Sequence, residues 1–175
     1  MRSFTIKNTG LFMTGLLSDK EKAFDQFLLS EAVIVTGNTY TIDGHINRDF
    51  YNDDELEIMR AEASGKGRIF SEEMIRWESA KHFCFDFIRG RKLPLSLKIT
   101  FHLAPENIDR FLSSGDYGIT REQINSLNVN IKFSGAALTC TTAASLKIFT
   151  MDKSLENAFD DMFGRFLDTH GYDWD

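Results

Sequence analysis

The stretch Thr39–Tyr51, TYTIDGHINRDFY, gathers Asp43, His45, Arg48, Asp49 and Tyr51 within thirteen residues. Asp43, His45 and Asp49 are oxygen and nitrogen ligands of the kind a divalent metal takes. A histidine beside a carboxylate also suits general acid–base work, because imidazole titrates near neutrality and a carboxylate orients it. The chemistry implied is that of a small metal- or acid/base-dependent hydrolase centred on Asp43, His45 and Asp49, with Arg48 as an anion contact and His45, Arg48 and Tyr51 as binding candidates. A purely structural reading accounts for the same residues. Asp43-Gly44 is a turn signal, Asn52 stands three residues before Glu55 as a capping box, and Phe50 and Tyr51 serve as core or staple residues.

A second constellation lies in KHFCFDFI and LPLSLKITFHL, where His82, Cys84 and Asp86 alternate with phenylalanines, and Ser96, Lys98, Thr100 and His102 alternate with aliphatics. A Cys-His pair makes a nucleophile, and a Cys/His/Asp group holds zinc. Residues two apart on a strand lie about 7 Å from each other, whereas zinc ligands converge to about 2.3 Å from one point, so a solvated or helix-covered sheet face is the expected reading. Arg89, Arg91 and Lys92 in RGRK are further binding candidates, on a short basic turn. Gly65-Lys66 fails as a phosphate loop, since Gly67 stands where Ser or Thr is needed and Arg60 where the first glycine is needed. Gly-x-Ser-x-Gly, His-Glu-x-x-His and Gly-x-Gly-x-x-Gly do not occur.

The elements that must position these groups belong to a chain of 175 residues, 42% apolar, with sixteen phenylalanines and two prolines. That length suits one domain, 1–175, with one core. No run of about 18 apolar residues is present, and the polar N-terminus lacks a signal peptide's apolar stretch, so a cytoplasmic protein with no membrane segment is expected. Two cysteines make neither a disulfide framework nor a metal spacing, and no cofactor is indicated. A net charge of −6 makes nucleic acid an unfavourable partner, because the long-range field repels phosphates. A protein partner and a homo-oligomer remain as candidate assemblies.

Periodicity predicts a strand at 3–6, helical pieces over NTGLFMTGLL and DKEKAFDQFLL, and a hairpin around Gly37-Asn38 in which Val33, Val35, Tyr40 and Ile42 share a face. A helix follows Asn52, another opens at Ser71, and two long strands over 82–88 and 95–103 join at RGRK. Pro105 opens a helix, TREQINSL is helical, a second hairpin turns at Gly135, and a strand covers SLKIFT. An amphipathic helix runs over 154–169 and ends at Gly171; the tail YDWD is expected to be loose, or to dock into a partner.

The hairpins superpose at an offset of 98, with Val33 on Ile131, Val35 on Phe133, Gly37 on Gly135, Tyr40 on Leu138 and Ile42 on Cys140. The chain therefore reads as an α+β fold: two pseudo-repeated strand-helix-strand-strand-strand units forming a mainly antiparallel sheet. Unit one spans about 3–89 with a helical insert at about 53–80, unit two spans about 93–150, and a C-terminal helix follows at 154–169. This order resembles one domain of the DNA sliding clamps. That resemblance implies helices on one side of a curved sheet, but no diagnostic clamp motif accompanies it and acidic residues offset Lys20, Lys22 and Arg110. YTIDGHINRDFY together with RGRKLPLSLKITFHL is similar to an uncharacterised family of small bacterial proteins of unknown function, which implies a bacterial source and no activity.

The leading functional expectation is a non-enzymatic cytoplasmic binding or scaffold module of clamp-like architecture, using a sheet edge, a groove or the tail to hold a protein. The alternative is the hydrolase centred on Asp43, His45 and Asp49.

Overall fold

Six strands, β1 (Ser3–Ile6), β2 (Leu28–Val35), β3 (Thr39–Asp43), β4 (Ser96–His102), β5 (Ile124–Ser134) and β6 (Ala137–Leu146), pair antiparallel in the order β1-β6-β5-β4-β2-β3 in a computed structural model that describes residues 1–90 and 92–175. Among the described residues there are five α-helices: α1 (Thr9–Leu17), α2 (Asp53–Gly65), α3 (Trp77–Ile88), α4 (Pro105–Ser113) and α5 (Ser154–Thr169). The α+β class, the antiparallel sheet and the C-terminal helix follow the sequence pattern.

Local chemistry explains the boundaries that the pattern fixes. The Asn52 side chain accepts from the Glu55 N–H while Glu55 accepts from the Asn52 N–H, both at 2.9 Å, so α2 opens on a full capping box. Pro105 opens α4, where its missing N–H is no loss. Gly171 ends α5 with φ +73, a conformation that side chains with a Cβ resist.

One face of the sheet packs Ala32, Ile34, Leu97, Ile99, Phe101, Val129, Ile131, Phe133, Leu138 and Cys140 against Phe12 and Leu16 of α1, Trp77 and Cys84 of α3 and Phe159 and Phe163 of α5. The aromatics interlock edge-on: Phe4 meets Phe163 at 5.4 Å, and Trp77 meets Phe101 at 5.1 Å. The other face carries Lys98, Thr100, Asn130, Lys132, Thr139 and Thr141, the polar alternates of the same strands.

Five expectations of local structure are corrected. Residues 82–88 form the second half of α3 and not a strand, so no long hairpin joins at RGRK; β4 lies between β2 and β5 instead. The buried set Trp77, Ala80, Lys81 and Cys84 has helical spacing, but it includes a lysine, and the alternation of Phe83, Phe85 and Phe87 masks it. Past α1, residues 18–27 turn without forming a second helix, and the chain beyond Ser71 joins the sheet through bridges of Met74 to His45 and Arg76 to Leu28 before α3 begins. Only Arg121–Gln123 of TREQINSL is helical, as a 3-10 turn, and β5 starts at Ile124. β6 ends at Leu146, leaving no separate strand over SLKIFT.

The observed order is strand-helix-strand-strand twice, with α2 and α3 between the halves. The fourth strand of each expected unit is therefore absent. The hairpins also differ by one residue. Val35 pairs with Thr39 across three turn residues, whereas Ser134 pairs with Ala137 across two, with Gly135 at φ +66. One residue of slip exchanges the faces of a strand. Ala32 and Ile34 are fully buried as a result, while Val33 and Val35 are not, and Ile34 is the residue across from Tyr40.

The tail is ordered rather than loose. The Thr5 N–H donates to the Asp175 carbonyl, the Asp175 N–H to the Thr5 carbonyl and the Lys7 N–H to the Asp173 carbonyl, each at 2.9 Å. Tyr172 is buried beside Phe12 at 5.0 Å, and Trp174 meets Phe4 at 4.8 Å.

Candidate functional site

The Asp43–His45 corner is built by Gly44. Its N–H donates to the Ser30 carbonyl and its carbonyl accepts from the Ile75 N–H, both at 2.9 Å, and any Cβ at this position would collide with the Leu29 carbonyl. Locked between two segments, Gly44 fixes its neighbours. The Asp43 carboxylate accepts from the His45 N–H at 2.9 Å and contacts His45 Nδ1 at 2.6 Å, on a side chain that is 56% exposed. The His45 backbone N–H, and then its ring, hold the Asp43 carboxyl below the usual carboxylate range.

His102, at the end of β4, lines a cavity of about 310 Å³ with Glu72, Glu73, Arg121 and Lys147. Burial pushes the His102 imidazole below its ordinary value, the nearby His45 adds to this, and Glu73 opposes it. His45 is thus near enough to act on the charge of His102, but does not line that cavity. His82 is elsewhere, with its ring 3.9 Å from that of Phe83 on α3.

Asp49 does not join the corner. It sits in the 3-10 turn Arg48–Phe50, and among the described residues no three His, Cys, Asp or Glu side chains converge as a metal-holding group. Arg48 pairs with Glu72 at 2.8 Å, and Glu72 also binds Arg60, which reaches Glu57 at 2.8 Å. Arg48 is therefore already neutralised by a carboxylate. Arg60 is the main cause that draws the Glu72 carboxyl below its ordinary value. Phe50 is 81% exposed, with Tyr51 edge-on to it at 5.2 Å, so neither serves the core as expected. Arg89 makes only a long contact of 3.7 Å to Asp86, Lys92 is exposed, and Arg91 lies outside the described residues. Cys84 and Cys140 are buried; desolvation pushes the Cys84 thiol up to about 12 and the Cys140 thiol in the same direction. Neither has the thiolate character a nucleophile needs.

Sequence reasoning missed a groove of about 580 Å³ between α1 and the end of α3, lined by Met13, Leu17, Phe85, Ile88, Leu93 and Pro94. Phe85 is 48% exposed and Leu93 79%, in a chain that otherwise buries most of its phenylalanines. Arg89 lines the same groove, and Lys92 is next to Leu93 in the chain. The available signal was the apolar run Phe83-Cys84-Phe85 within α3, where no single helical stripe accommodates every phenylalanine.

No curated protein and no solved structure matches the sequence. A model of the family of unknown function DUF5721 matches residues 16–175, which include the Asp43–His45 corner, most of the groove and the docked tail, and the chain belongs to that family.

Proposed function

We propose that this chain is a non-enzymatic protein-binding module whose groove between α1 and α3 holds an amphipathic, acidic helix of a partner protein. The observation that carries the reading is the apolar lining of Met13, Leu17, Phe85, Ile88, Leu93 and Pro94, from which Phe85 and Leu93 stand exposed beside Arg89. Contiguous apolar surface of this kind marks interaction sites, and a helix laid in a groove supplies apolar anchors at i, i+3, i+4 and i+7. Arg89 and Lys92 give this rim a positive charge in a chain of net charge −6, which selects an acidic flank on the partner.

Fluorescence anisotropy with labelled synthetic amphipathic helices tests this. An acidic-flanked peptide should bind, Phe85→Asp and Leu93→Asp should each weaken it more than about tenfold, and a basic-flanked peptide should bind less. Equal binding of both peptides, or indifference to the groove variants, would remove the proposal.

The oriented Asp43–His45 pair favours a second reading, acid/base chemistry with His45 Nε2 as the proton-transferring atom. Turnover of a hydrolysable ester or phosphodiester probe, abolished in His45→Ala and retained in Phe85→Asp, would establish that reading in place of the first.

A further inference from the structure

The two edges of the sheet are treated differently. The outer edge of β1 is paired by the chain's own tail through Thr5, Lys7, Asp173 and Asp175. The outer edge of β3 has no strand beside it among the described residues.

The hydrogen-bond phase of the first hairpin shows which groups that edge presents. The Thr36 N–H donates to the Asn38 carbonyl and the Gly44 N–H to the Ser30 carbonyl, both at 2.9 Å. These bonds bracket Val35–Thr39 and Glu31–Asp43 as non-bonded pairs, so Val33–Thr41 between them is non-bonded as well, and Tyr40 and Ile42 exchange the bonds with β2. Thr39, Thr41 and Asp43 therefore turn their backbone N–H and C=O groups away from β2, into solvent. All three residues are exposed. Natural edges are blunted by lysine, proline, a bulge or a covering segment, and Thr39–Asp43 has none of these.

We propose that this edge pairs with the same edge of a second copy of this chain, through a two-fold axis at Thr41. The segment is self-complementary in that register. Thr39 stands opposite Asp43 of the partner subunit, a hydroxyl against a carboxylate. Tyr40 stands opposite Ile42 of the partner subunit, an aromatic against a β-branched residue, and no like charges meet. The three outward residues fall at bonded positions, so each facing pair exchanges two main-chain bonds. Helix α3 extends the contact. Phe87 stacks on Tyr40 at 4.1 Å, and Phe83, one turn earlier on the same helix, is 51% exposed. The surface is separate from the α1–α3 groove, so the assembly does not depend on what that groove holds.

Sedimentation velocity at rising micromolar concentration tests the pairing. The wild-type chain should shift from monomer toward dimer, as a small interface allows. Thr41→Lys should remain a monomer throughout, with an unchanged circular dichroism spectrum, because it opposes two ammonium groups on exposed positions. Under oxidation Thr41→Cys should give a disulfide-linked dimer, since facing bonded residues lie about 5.5 Å apart at Cα, within disulfide reach. Asn38→Cys, out of register with itself, should not cross-link. A chain that stays monomeric with no cross-link from Thr41→Cys overturns the proposal and leaves the edge to a strand of another protein. A dimer that survives Thr41→Lys, or one in which both cysteine variants cross-link alike, overturns it by placing the contact elsewhere.

Discussion

The ammonium group of Lys81 lies 2.7 Å from the Asp25 carboxylate, with side-chain exposures of 4% and 11%, and also donates to the Ser18 and Glu21 carbonyls at 3.0 Å. One side chain of α3 thus holds the turns between α1 and β2 that the sequence pattern assigns to a helix. Removing one partner of a buried pair strands the other's charge, at about 3–5 kcal/mol. Lys81→Ala should lower the urea-unfolding free energy by about that amount, and by more than Lys81→Met paired with Asp25→Leu, which removes both charges. A loss from Lys81→Ala within the ordinary surface range of about 0.5 kcal/mol would show that the pair does not hold this segment.

Gly15 and Tyr172 bring the tail onto α1. A methyl at Gly15 would run into the Tyr172 hydroxyl, and less severely into the ring, whose Cζ would lie 2.9 Å from it. Gly15→Ala should destabilise the fold by about 1–3 kcal/mol, the usual overpacking range, and Tyr172→Phe in the same chain should restore part of it. Trp174 fluorescence reports the tail directly, since its ring packs on Phe4 at 4.8 Å with Arg2 over it at 4.9 Å. An unshifted emission spectrum in Gly15→Ala would mean that the tail stays docked.

The elements legible in the sequence are those whose signal is local. The capping box at Asn52 and Glu55, the proline at the head of α4 and the stripe of Leu155, Phe159, Phe163 and Leu167 in α5 each carry their own evidence. The second half of α3 is hidden because the alternation of Phe83, Phe85 and Phe87 masks a buried face that includes Lys81, whose reason for burial, Asp25, is 56 residues away in the chain. Val33 and Val35 read as core residues in the sequence because register depends on turn length, and a three-residue loop looks like a two-residue one until the strands are paired. At the candidate site, the turn chemistry of Asp43-Gly44 was visible. The approach of His102 was not, since it requires β4 to lie beside β2.

His102 makes stability depend on pH in a definite direction. Burial, reinforced by His45, lowers its folded value below that of the unfolded chain, so the unfolded state takes up a proton first as pH falls. Stability should therefore decline below about pH 6.5, where an unperturbed imidazole begins to protonate, and continue to decline until the folded-state value is passed. His102→Gln should flatten that part of the profile. An NMR titration in which His102 titrates at or above the ordinary histidine value would refute the assignment.

Thiol reactivity tests the burial of the strand and helix faces together. Cys84 faces the core from α3 and Cys140 from β6, both without exposed surface, and desolvation raises both thiols, Cys84 to about 12. Reaction requires the thiolate and access to it, and the folded chain supplies neither near neutral pH. An aromatic disulfide reagent should find no reactive thiol in the native protein and two after unfolding in urea. The native labelling rate should rise in Lys81→Ala if cleavage of the reagent reports the population of opened chains. If Cys84 alone reacted quickly in the native state, α3 would be detaching from the sheet on its own, and its packing against β2 would be weaker than the burial of Trp77 and Ala80 implies.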